Sequence, residues 1–455
     1  MTNQGISKKL FNLLDRVTDI IPEFGPKIFE KIFLFLPGMA FIYKSQIKNA
    51  QKKIRSAGEI KKMLFIADIN IGDSILVQGA LNVIKSYYPD TRIDFFCNKK
   101  GGELFSEDAI GVRIINEFGN SGIPNEKDSS KLSEIIEKEN YSIVFNVSPF
   151  VEKKYLKKAG ILLNLYVPIA YYLMHKWKNN SNDLNISLLT HNFFNELLQP
   201  FSPYGILKPE RKEYFHLSPV FKGNNIQISK QAQDKAKEIL YSNNITDFEG
   251  LFMLNPVASS EFTTIPDFMQ AGIIEKCVKS DDIKYILICE GKNTPGIEKE
   301  ITKDLTADEL SKIVYIPFKI SLSVYAALID FCDVFISGDT GPVHIAAAKK
   351  EPLSEGYYFR NSTSVITVFG GTDSRIYGYD TDRYGHIPAN QSAPSKVFVG
   401  DAKCRNITCL NKLGKSCRNV RCFDSLNPDV IADYITSYFR HLNNLKKLNQ
   451  IVKIR

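Results

Sequence analysis

Residues 61–100 read KKMLFIADINIGDSILVQGALNVIKSYYPDTRIDFFCNKK, and their order of apolar runs and turns indicates the architecture of the first half of the chain. An apolar run is followed by a glycine turn, an amphipathic segment, a proline turn and a second apolar run. This order predicts the βαβ unit of a parallel sheet. Further strands are predicted within 112–118 and 141–149, with a helix over 129–140 between them. We therefore expect a doubly wound sheet covered by helices.

A second series of strand-like runs begins near Gly250, and each run ends in small or polar residues. The five runs are GLFMLNPVASS, KYILICEGKN, KIVYIPF, VFISGDTG and SVITVFGGTD. Helical text separates several of them, which predicts a second α/β domain of the same style. The length of 455 residues also suits two domains better than one.

The predicted organisation is therefore α/β, with two Rossmann-like domains and helical extensions at both ends. The predicted segments are a basic amphipathic helical extension over 1–60, an N-terminal Rossmann-like domain over 61–215, a C-terminal Rossmann-like domain over 220–430 and a C-terminal helix over 427–455. We expect the last helix to pack back on the N-terminal domain.

Composition is that of a globular protein, with 44% hydrophobic and 24% charged residues and a net charge of +8. No window holds the roughly 20 apolar residues of a membrane span. The first 60 residues hold ten Lys and Arg against five Asp and Glu, which places much of the positive charge there. Because this charge is local and lies on no aromatic-lined face, a nucleic-acid role is disfavoured.

The basic start has two interpretations, which the sequence leaves open. The stretch KIFEKIFLFLPGMAFIYKSQIK alternates basic and apolar residues, as in segments that lie in a membrane interface beside anionic lipid. Equally, it could form helices packed on the domain with a solvated lysine face. No small-residue cleavage site follows its short apolar run, so we expect no removed signal peptide. We expect a cytoplasmic protein, peripheral on the inner face of the cell membrane under the first interpretation.

Residues 159–174, AGILLNLYVPIAYYLM, form an apolar stretch that is too short to span a bilayer. One interpretation is a buried helix and loop of the first domain. The other is a surface that meets a lipid-bearing acceptor.

Four of the eight cysteines lie close together, at Cys404, Cys409, Cys417 and Cys422. A structural zinc, a disulfide pair and unligated thiols are all compatible with this cluster. Each pair has four intervening residues rather than the two of the usual zinc knuckle, so the spacing does not choose between them.

The stretch ISGDTGPVHIAAA joins a strand end to a helix. Pro342 suits the first turn of that helix, with Thr340 or Gly341 as its cap. The amides and dipole of a helix start favour an anion such as a diphosphate, which Gly341 allows to approach the backbone. Asp339 would repel phosphate, so we interpret it as a ligand of sugar hydroxyls. In the alternative interpretation, Asp339 only caps the helix and His344 only packs.

Two further turns have a similar composition. VFGGTDS offers bare backbone at Gly370 and Gly371 and a hydroxyl at Thr372. In the first domain, NIGDSIL places Gly72 and Asp73 between strand and helix, where a carboxylate could serve as a general base on an acceptor hydroxyl. A first-turn acid is more often just favoured by the helix dipole.

Together these stretches resemble the heptosyltransferase family, glycosyltransferase family nine, over about residues 61–440. SGDTGPVHIAAA looks like the Asp-Thr-Gly-x-x-His signature of that family, and IADINIGDSILVQGALNVIKSYYPDTRIDFF is similar to its first strand, turn and helix. VFGGTDSRIYGY, and the late cysteines followed by LNPDVIADYI, are also similar. The resemblance implies the GT-B fold, in which two Rossmann-like domains face each other across a cleft.

The resemblance implies an inverting, metal-independent sugar transfer without a cofactor. The donor would be a nucleotide sugar such as ADP-heptose, and the acceptor a lipopolysaccharide core or another lipid-linked or envelope glycan. By this resemblance Asp73 is the catalytic base, Asp339 holds the donor sugar, and the amides of Thr340 and Gly341 hold the diphosphate. The remaining predicted donor-binding residues are His344, Gly370, Thr372, Ser259 and Lys292.

Two departures from the family leave the donor sugar open. In NPVASSEFTTIP, Thr263 and Thr264 stand where the resemblance leads us to expect a basic residue. A phosphate or sugar contact is then either missing or supplied elsewhere, for instance by Lys292 or Arg375. The link KKEPLSEGYYFRNSTS is longer than usual. Two alternatives remain, a nucleotide-sugar epimerase on the same fold and a catalytically silent membrane-associated relative.

Overall fold

The protein is seen in a computed structural model that describes residues 37–454 with gaps. The gaps are 68–70, 98, 106–111, 116–125, 149–150, 152, 166–167, 170–171, 174, 177–184, 202–222, 259, 292–293, 302–304, 318, 354–357, 386–388 and 402–420. Most of the expected 1–60 extension therefore lies outside the described residues. The chain divides into two compact units. Among the described residues, we call them the N-terminal unit (37–227 and 383–390) and the C-terminal unit (228–382 and 391–454).

The N-terminal unit contains a five-stranded parallel sheet in the order β3-β2-β1-β4-β5. The strands are β1 (Lys62–Ile66), β2 (Arg92–Phe96), β3 (Arg113–Ile115), β4 (Ile143–Asn146) and β5 (Ile161–Asn164). The helices are α1 (Pro37–Ser56), α2 (Ile71–Leu76), α3 (Gln78–Tyr87), α4 (Lys99–Gly102), α5 (Glu126–Glu139) and α6 (Ile186–Leu198). The chain winds outward in both directions from β1 and β4, which is the doubly wound order that the sequence predicts.

Alternate side chains of the central strands pack on opposite faces of this sheet. On one face, the ring of Phe194 in α6 lies 5.6 Å from that of Phe65 and 5.8 Å from that of Phe145, between centroids. The other face packs against α5 through a cluster that includes Leu64, Ile66, Val144, Leu132 and Ile136. Helices α5 and α6 therefore cover opposite faces.

The apolar stretch 159–174 differs from the first of its two predicted forms, a buried helix and loop, while a surface for a lipid-bearing acceptor stays a prediction. Its residues Ile161–Asn164 form β5, which pairs in parallel with β4. Leu163 and Leu165 are buried. A short apolar run fits a buried strand as well as a helix, so the prediction of a helix was wrong for this part.

The C-terminal unit contains a six-stranded parallel sheet in the order β13-β12-β10-β7-β8-β9. The chain passes between the units within β6 (Asn225–Ile228). The later strands are β7 (Leu251–Asn255), β8 (Tyr285–Cys289), β9 (Ile313–Ile316), β10 (Val334–Gly338), β11 (Lys349–Pro352), β12 (Ser364–Phe369) and β13 (Lys396–Val399). The later helices are α7 (Lys230–Ser242), α8 (Asp267–Val278), α9 (Thr294–Ile301), α10 (Ala307–Ser311), α11 (Leu322–Phe331), α12 (Gly341–Ala347), α13 (Ser374–Tyr377), α14 (Thr381–Tyr384) and α15 (Pro428–Ile454).

Asp333 organises the amino-terminal edge of this sheet. Its Oδ2 accepts hydrogen bonds from the amides of Gly250 at 2.8 Å and Leu251 at 3.1 Å. Its Oδ1 accepts one from Nη2 of Arg360 at 2.5 Å. Because Arg360 belongs to the long link between α12 and β12, that link is anchored at the edge opposite to the carboxyl ends of the strands.

The C-terminal helix α15 packs against α8 of the C-terminal unit. Its residues Ile431, Ile435 and Phe439, spaced by four, are buried in the core cluster of that unit. The apolar stripe of this helix therefore packs within the C-terminal unit, and the expected contact with residues 61–215 stays a prediction. None of the described helices is long and apolar enough to cross a membrane.

Candidate functional site

The turn between β10 and α12 forms the centre of the candidate site. Strand β10 ends at Gly338, and α12 starts at Gly341 with Pro342 in its first turn. Thr340 holds the cap position in an extended conformation, with φ −155° and ψ 162°, and its side chain makes no capping hydrogen bond. The hydroxyl of Thr340 therefore does not occupy the amides at the start of the helix, where an anion is favoured.

Asp339 and Thr372 are brought together at the carboxyl ends of two neighbouring strands. Strands β10 and β12 pair in parallel, so both ends lie at one edge of the sheet. The hydroxyl of Thr372 donates a hydrogen bond of 2.8 Å to Oδ2 of Asp339. Thr372 is buried and Asp339 is half-buried. The bond orients the carboxylate at the edge where ligands of such sheets bind.

His344 lies on the buried side of α12. Its Nδ1 is hydrogen-bonded to the hydroxyl of Tyr379 at 2.9 Å, and the two rings meet edge to face. Burial lowers the pKa of His344 to about 4, so the ring is neutral near pH 7. These contacts hold α12 against the segment after β12. A donor contact by His344 stays a prediction.

Two glycines at the site allow close packing. A Cβ on Gly370 would lie 2.7 Å from Sγ of Cys422 and 2.7 Å from the ring of Phe423. A Cβ on Gly338 would fall on the carbonyl oxygen of Thr263. The absence of a side chain at Gly370 therefore lets Cys422 and Phe423 pack closely against it. In the same way, Gly338 lets the loop after β7 pack against the end of β10.

Thr263 and Thr264 use their hydroxyls to close the loop in which they lie. Both are buried, and both hydroxyls donate to the carbonyl of Ser260, at 3.1 Å and 2.8 Å. The Thr264 hydroxyl also accepts from the amide of Ala258 at 3.1 Å. Where the resemblance led us to expect a basic residue, this chain has a hydrogen-bonded turn.

A buried polar group that the sequence analysis missed links β7 to β10. Nδ2 of Asn255 donates to Oγ of Ser337 at 2.9 Å, and the hydroxyl of Tyr325 donates to Oδ1 of Asn255 at 3.2 Å. Burial raises the pKa of Tyr325 well above its usual value. Two sequence features could have indicated this group. Asn255 precedes a proline at a strand end, and Ser337 lies in the signature stretch.

Arg375 forms an ion pair with Asp373, the residue that precedes it by two. Its Nη2 lies 2.6 Å from Oδ2 of Asp373, and Oδ1 of Asp373 also accepts from the Arg375 amide at 2.9 Å. Asp373 thereby caps α13. The other predicted cation, Lys292, and the predicted donor contact Ser259 lie outside the described residues.

Asp73 lies in the N-terminal unit, in the first turn of α2 after β1. It is half-buried, and its backbone carbonyl accepts a hydrogen bond from the amide of Val77 at 3.1 Å. This is the strand-to-helix position that the sequence predicts, at the carboxyl end of a central strand.

Among the clustered cysteines, Cys422 alone falls within the described residues, where it is a half-buried thiol. Cys404, Cys409 and Cys417 lie outside them. No group of three His, Cys, Asp or Glu side chains suited to a metal ion occurs in the part of the chain that the structure describes.

The site lies in a segment that matches a known family. Residues 224–398 match the family described as glycosyltransferase family 9 (heptosyltransferase). The chain is 24% identical over 330 residues to lipopolysaccharide heptosyltransferase 3 of Escherichia coli, which covers 66% of this chain and 81% of that protein.

Solved structures support the fold. A glycosyl transferase family 9 protein from Veillonella parvula DSM 2008 matches with a TM-score of 0.58 and 14% identity, over 84% of this chain and 98% of that chain. The E. coli ADP-heptose lps heptosyltransferase II matches with a TM-score of 0.52 and 12% identity, over 84% and 99%. The predicted GT-B type of α/β fold is confirmed. The matched segment contains the β10 and β12 turns, and residues 224–398 are thus similar to glycosyltransferase family 9, the heptosyltransferase family.

Proposed function

We propose that this glycosyltransferase moves a heptose or related sugar from a nucleotide diphosphate to a lipopolysaccharide core or another envelope glycan. The transfer inverts the anomeric centre and needs no metal ion. The observation that carries the proposal is the hydrogen bond from Thr372 to Asp339 at the carboxyl ends of β10 and β12. It pairs the family signature with the next strand end in one polar site.

The names of similar proteins support the class of donor and acceptor. One structural neighbour is an ADP-heptose heptosyltransferase, and one sequence relative is a lipopolysaccharide heptosyltransferase. In this chain the amides of Thr340 and Gly341 would receive the diphosphate, because a helix start favours anions. Asp339, oriented by Thr372, would accept hydrogen bonds from the donor sugar.

In the proposed reaction, an acceptor hydroxyl attacks the anomeric carbon of the donor while the Asp73 carboxylate takes its proton. The bond from the anomeric carbon to the diphosphate oxygen breaks, and its electron pair leaves with the diphosphate. Backbone amides at the α12 start would stabilise that charge. Because Arg375 is bound to Asp373, Lys292 is the predicted cation that we assign to the diphosphate.

The location of the reaction follows from the acceptor. A lipid-linked core glycan would be met at the inner face of the cell membrane, where nucleotide sugars are present. We therefore propose a cytoplasmic enzyme that contacts this surface peripherally through the basic start of the chain and residues 159–174.

Calorimetry with ADP-heptose, ADP and a uridine diphosphate sugar tests the donor assignment. We expect selective binding of one donor by the wild type and much weaker binding by Asp339→Ala. The exposed acid Asp281 in the same unit offers a matched control, because Asp281→Ala should leave binding unchanged. Absence of binding by the folded wild-type protein would contradict the proposal and favour the catalytically silent relative.

A further inference from the structure

Helix α1 is positively charged and contains no acidic residue. Its sequence, PGMAFIYKSQIKNAQKKIRS, contains five cations and no Asp or Glu. The five are Lys44, Lys48, Lys52, Lys53 and Arg55. Exposed helices of soluble domains usually mix both signs, because opposite charges three or four residues apart stabilise a helix and like charges destabilise it.

Four of these cations form a single row, which we call the basic stripe: Lys44, Lys48, Lys52 and Arg55. At about 100° per residue, their spacings of four, four and three place them within about 80° of the helix circumference. The row is about 16 Å long at 1.5 Å per residue. All four side chains are exposed. Within the described part of the chain, none of them forms an ion pair.

The other side of α1 fixes the helix to the N-terminal unit. Ile47, Ala50 and Ile54 are buried, and the helix packs against α6 and β5. Nε2 of Gln51 donates to the carbonyl of Leu197 at 3.2 Å, and Nζ of Lys53 donates to the carbonyl of Leu162 at 3.3 Å. The basic stripe is therefore a fixed feature of the folded surface.

We propose that the basic stripe docks the N-terminal unit on an anionic phospholipid bilayer. A bound small anion would require cations that converge on one point, whereas these cations are spread along a straight row. A row of cations on the outside of a helix is complementary to a flat layer of negative headgroups. The choice of a membrane over another polyanion rests on the proposed function, because a lipid-linked acceptor is presented there.

Vesicle co-sedimentation of the full chain tests the proposal, with vesicles of phosphatidylglycerol and phosphatidylethanolamine compared with pure phosphatidylcholine. The test variant is Lys44→Gln, Lys48→Gln, Lys52→Gln and Arg55→Gln together. Each cation near an anionic bilayer changes partitioning by about fivefold, so the variant should bind the anionic vesicles at least 100-fold more weakly. Binding of the wild type should also fall as sodium chloride is raised, because salt screens exposed charges.

The control variant removes the same charge from the opposite face of the sheet. Its four exposed lysines lie on α5 and just after the turn Lys153–Leu156, which packs with α5: Lys131, Lys138, Lys157 and Lys158. The control with all four changed to Gln should bind anionic vesicles as the wild type does. Equal loss in both variants would mean that total charge, not the stripe, drives binding, and would overturn the proposal.

Other outcomes also decide whether the proposal holds. Unchanged binding by the stripe variant, equal binding of the wild type to neutral vesicles, or no vesicle binding at low salt would each overturn the proposal. Stripe-dependent binding of a soluble phosphorylated oligosaccharide without vesicle binding would identify a glycan as the occupant. The measurement uses neither donor nor acceptor. Failure to bind lipid is thus distinguishable from failure of the proposed transfer, which a soluble acceptor tests.

Discussion

The hydroxyl of Thr372 donates a hydrogen bond of 2.8 Å to Oδ2 of Asp339. The two residues are 33 positions apart in the chain. They meet because the strands that they follow, β10 and β12, are neighbours in the sheet. The orientation of the proposed sugar ligand Asp339 therefore depends on a residue from a different turn.

Removing the Thr372 hydroxyl should weaken donor binding. Hydrogen bonds to charged groups contribute about 1.5–3 kcal/mol, so we expect Thr372→Val to raise the donor Kd by about tenfold or more. Thr372→Ser keeps the hydroxyl and should stay close to the wild type. Calorimetry checks both, and equal affinity of the Val and Ser variants would show that the bond does not matter for the donor.

Replacing the proposed base should affect turnover and leave donor binding intact. General base catalysis contributes about 10²–10⁴-fold, so kcat of Asp73→Asn should fall by at least 100-fold while the donor Kd is unchanged. Asp90→Asn, at an exposed acid of the same unit, is the matched control. A transfer assay with a soluble acceptor measures both, and normal turnover by Asp73→Asn would remove Asp73 from the mechanism.

The buried imidazole of His344 should make the protein less stable in acid. Burial lowers the pKa of His344 from 6.5 to about 4, so between these values the unfolded chain binds a proton that the folded chain does not. The free energy of unfolding should therefore fall as pH decreases from 6.5 to 4. His191, whose pKa burial also lowers to about 4, contributes in the same direction.

Urea unfolding at pH 7 and pH 5 measures the effect. His344→Phe should lose less stability between these two pH values than the wild type. His191→Phe should show how much of the slope of unfolding free energy against pH comes from the N-terminal unit. An unchanged slope in His344→Phe would mean that the ring is not held neutral.

The buried amine of Lys350 should make the stability of the protein depend on pH in the alkaline range. Its Nζ is buried and donates to the carbonyl of Ala346 near the end of α12 at 2.7 Å. Burial lowers the pKa of Lys350 from 10.5 to about 7, although the charge of Asp330 opposes this. Between pH 7 and 10.5 the unfolded chain binds the extra proton, so stability should rise with pH in that range. Thermal unfolding at pH 7 and pH 9 should show this rise in the wild type and less of it in Lys350→Met.

Adding one methyl group at Gly370 should destabilise the C-terminal unit. The new Cβ would lie 2.7 Å from both Sγ of Cys422 and the ring of Phe423, and overpacking costs about 1–3 kcal/mol. Urea unfolding of Gly370→Ala measures the loss. Combining it with Cys422→Ala should recover part of the stability, since one of the two clashes is removed. Full stability of the single variant would contradict the close packing.

The sequence predicted most strands of both sheets because they are apolar runs bounded by turns. All five strand runs named for the second domain occur, as β7, β8, β9, β10 and β12. Strands β5 and β13 were missed, although β4 and β9, which also have four residues, were predicted. Strand β5 lies in an apolar stretch that was interpreted as a helix and loop. Such short runs carry little periodicity. The packing of α15 against α8 was not predicted, since an apolar stripe shows that a helix is buried without showing which element it packs against.

The site was predicted in part. The turn at Asp339 and Thr340 was found because strand ends, glycine and proline are local signals. The hydrogen bond between Asp339 and Thr372 could not be predicted from the sequence, because it depends on which strands are neighbours in the sheet. The same applies to Asn255, whose partners Ser337 and Tyr325 come from other elements.

The anchoring of Arg360 to Asp333 has a practical consequence for labelling. Leu353 and Tyr358, which flank residues 354–357, are 50% and 82% exposed. Arg360 fixes the chain just after them at the amino-terminal edge of the sheet, opposite to the carboxyl ends of the strands. A fluorophore or affinity tag inserted between Leu353 and Tyr358 should therefore leave both the register of β12 and turnover intact, which gives a handle for following the enzyme in cells.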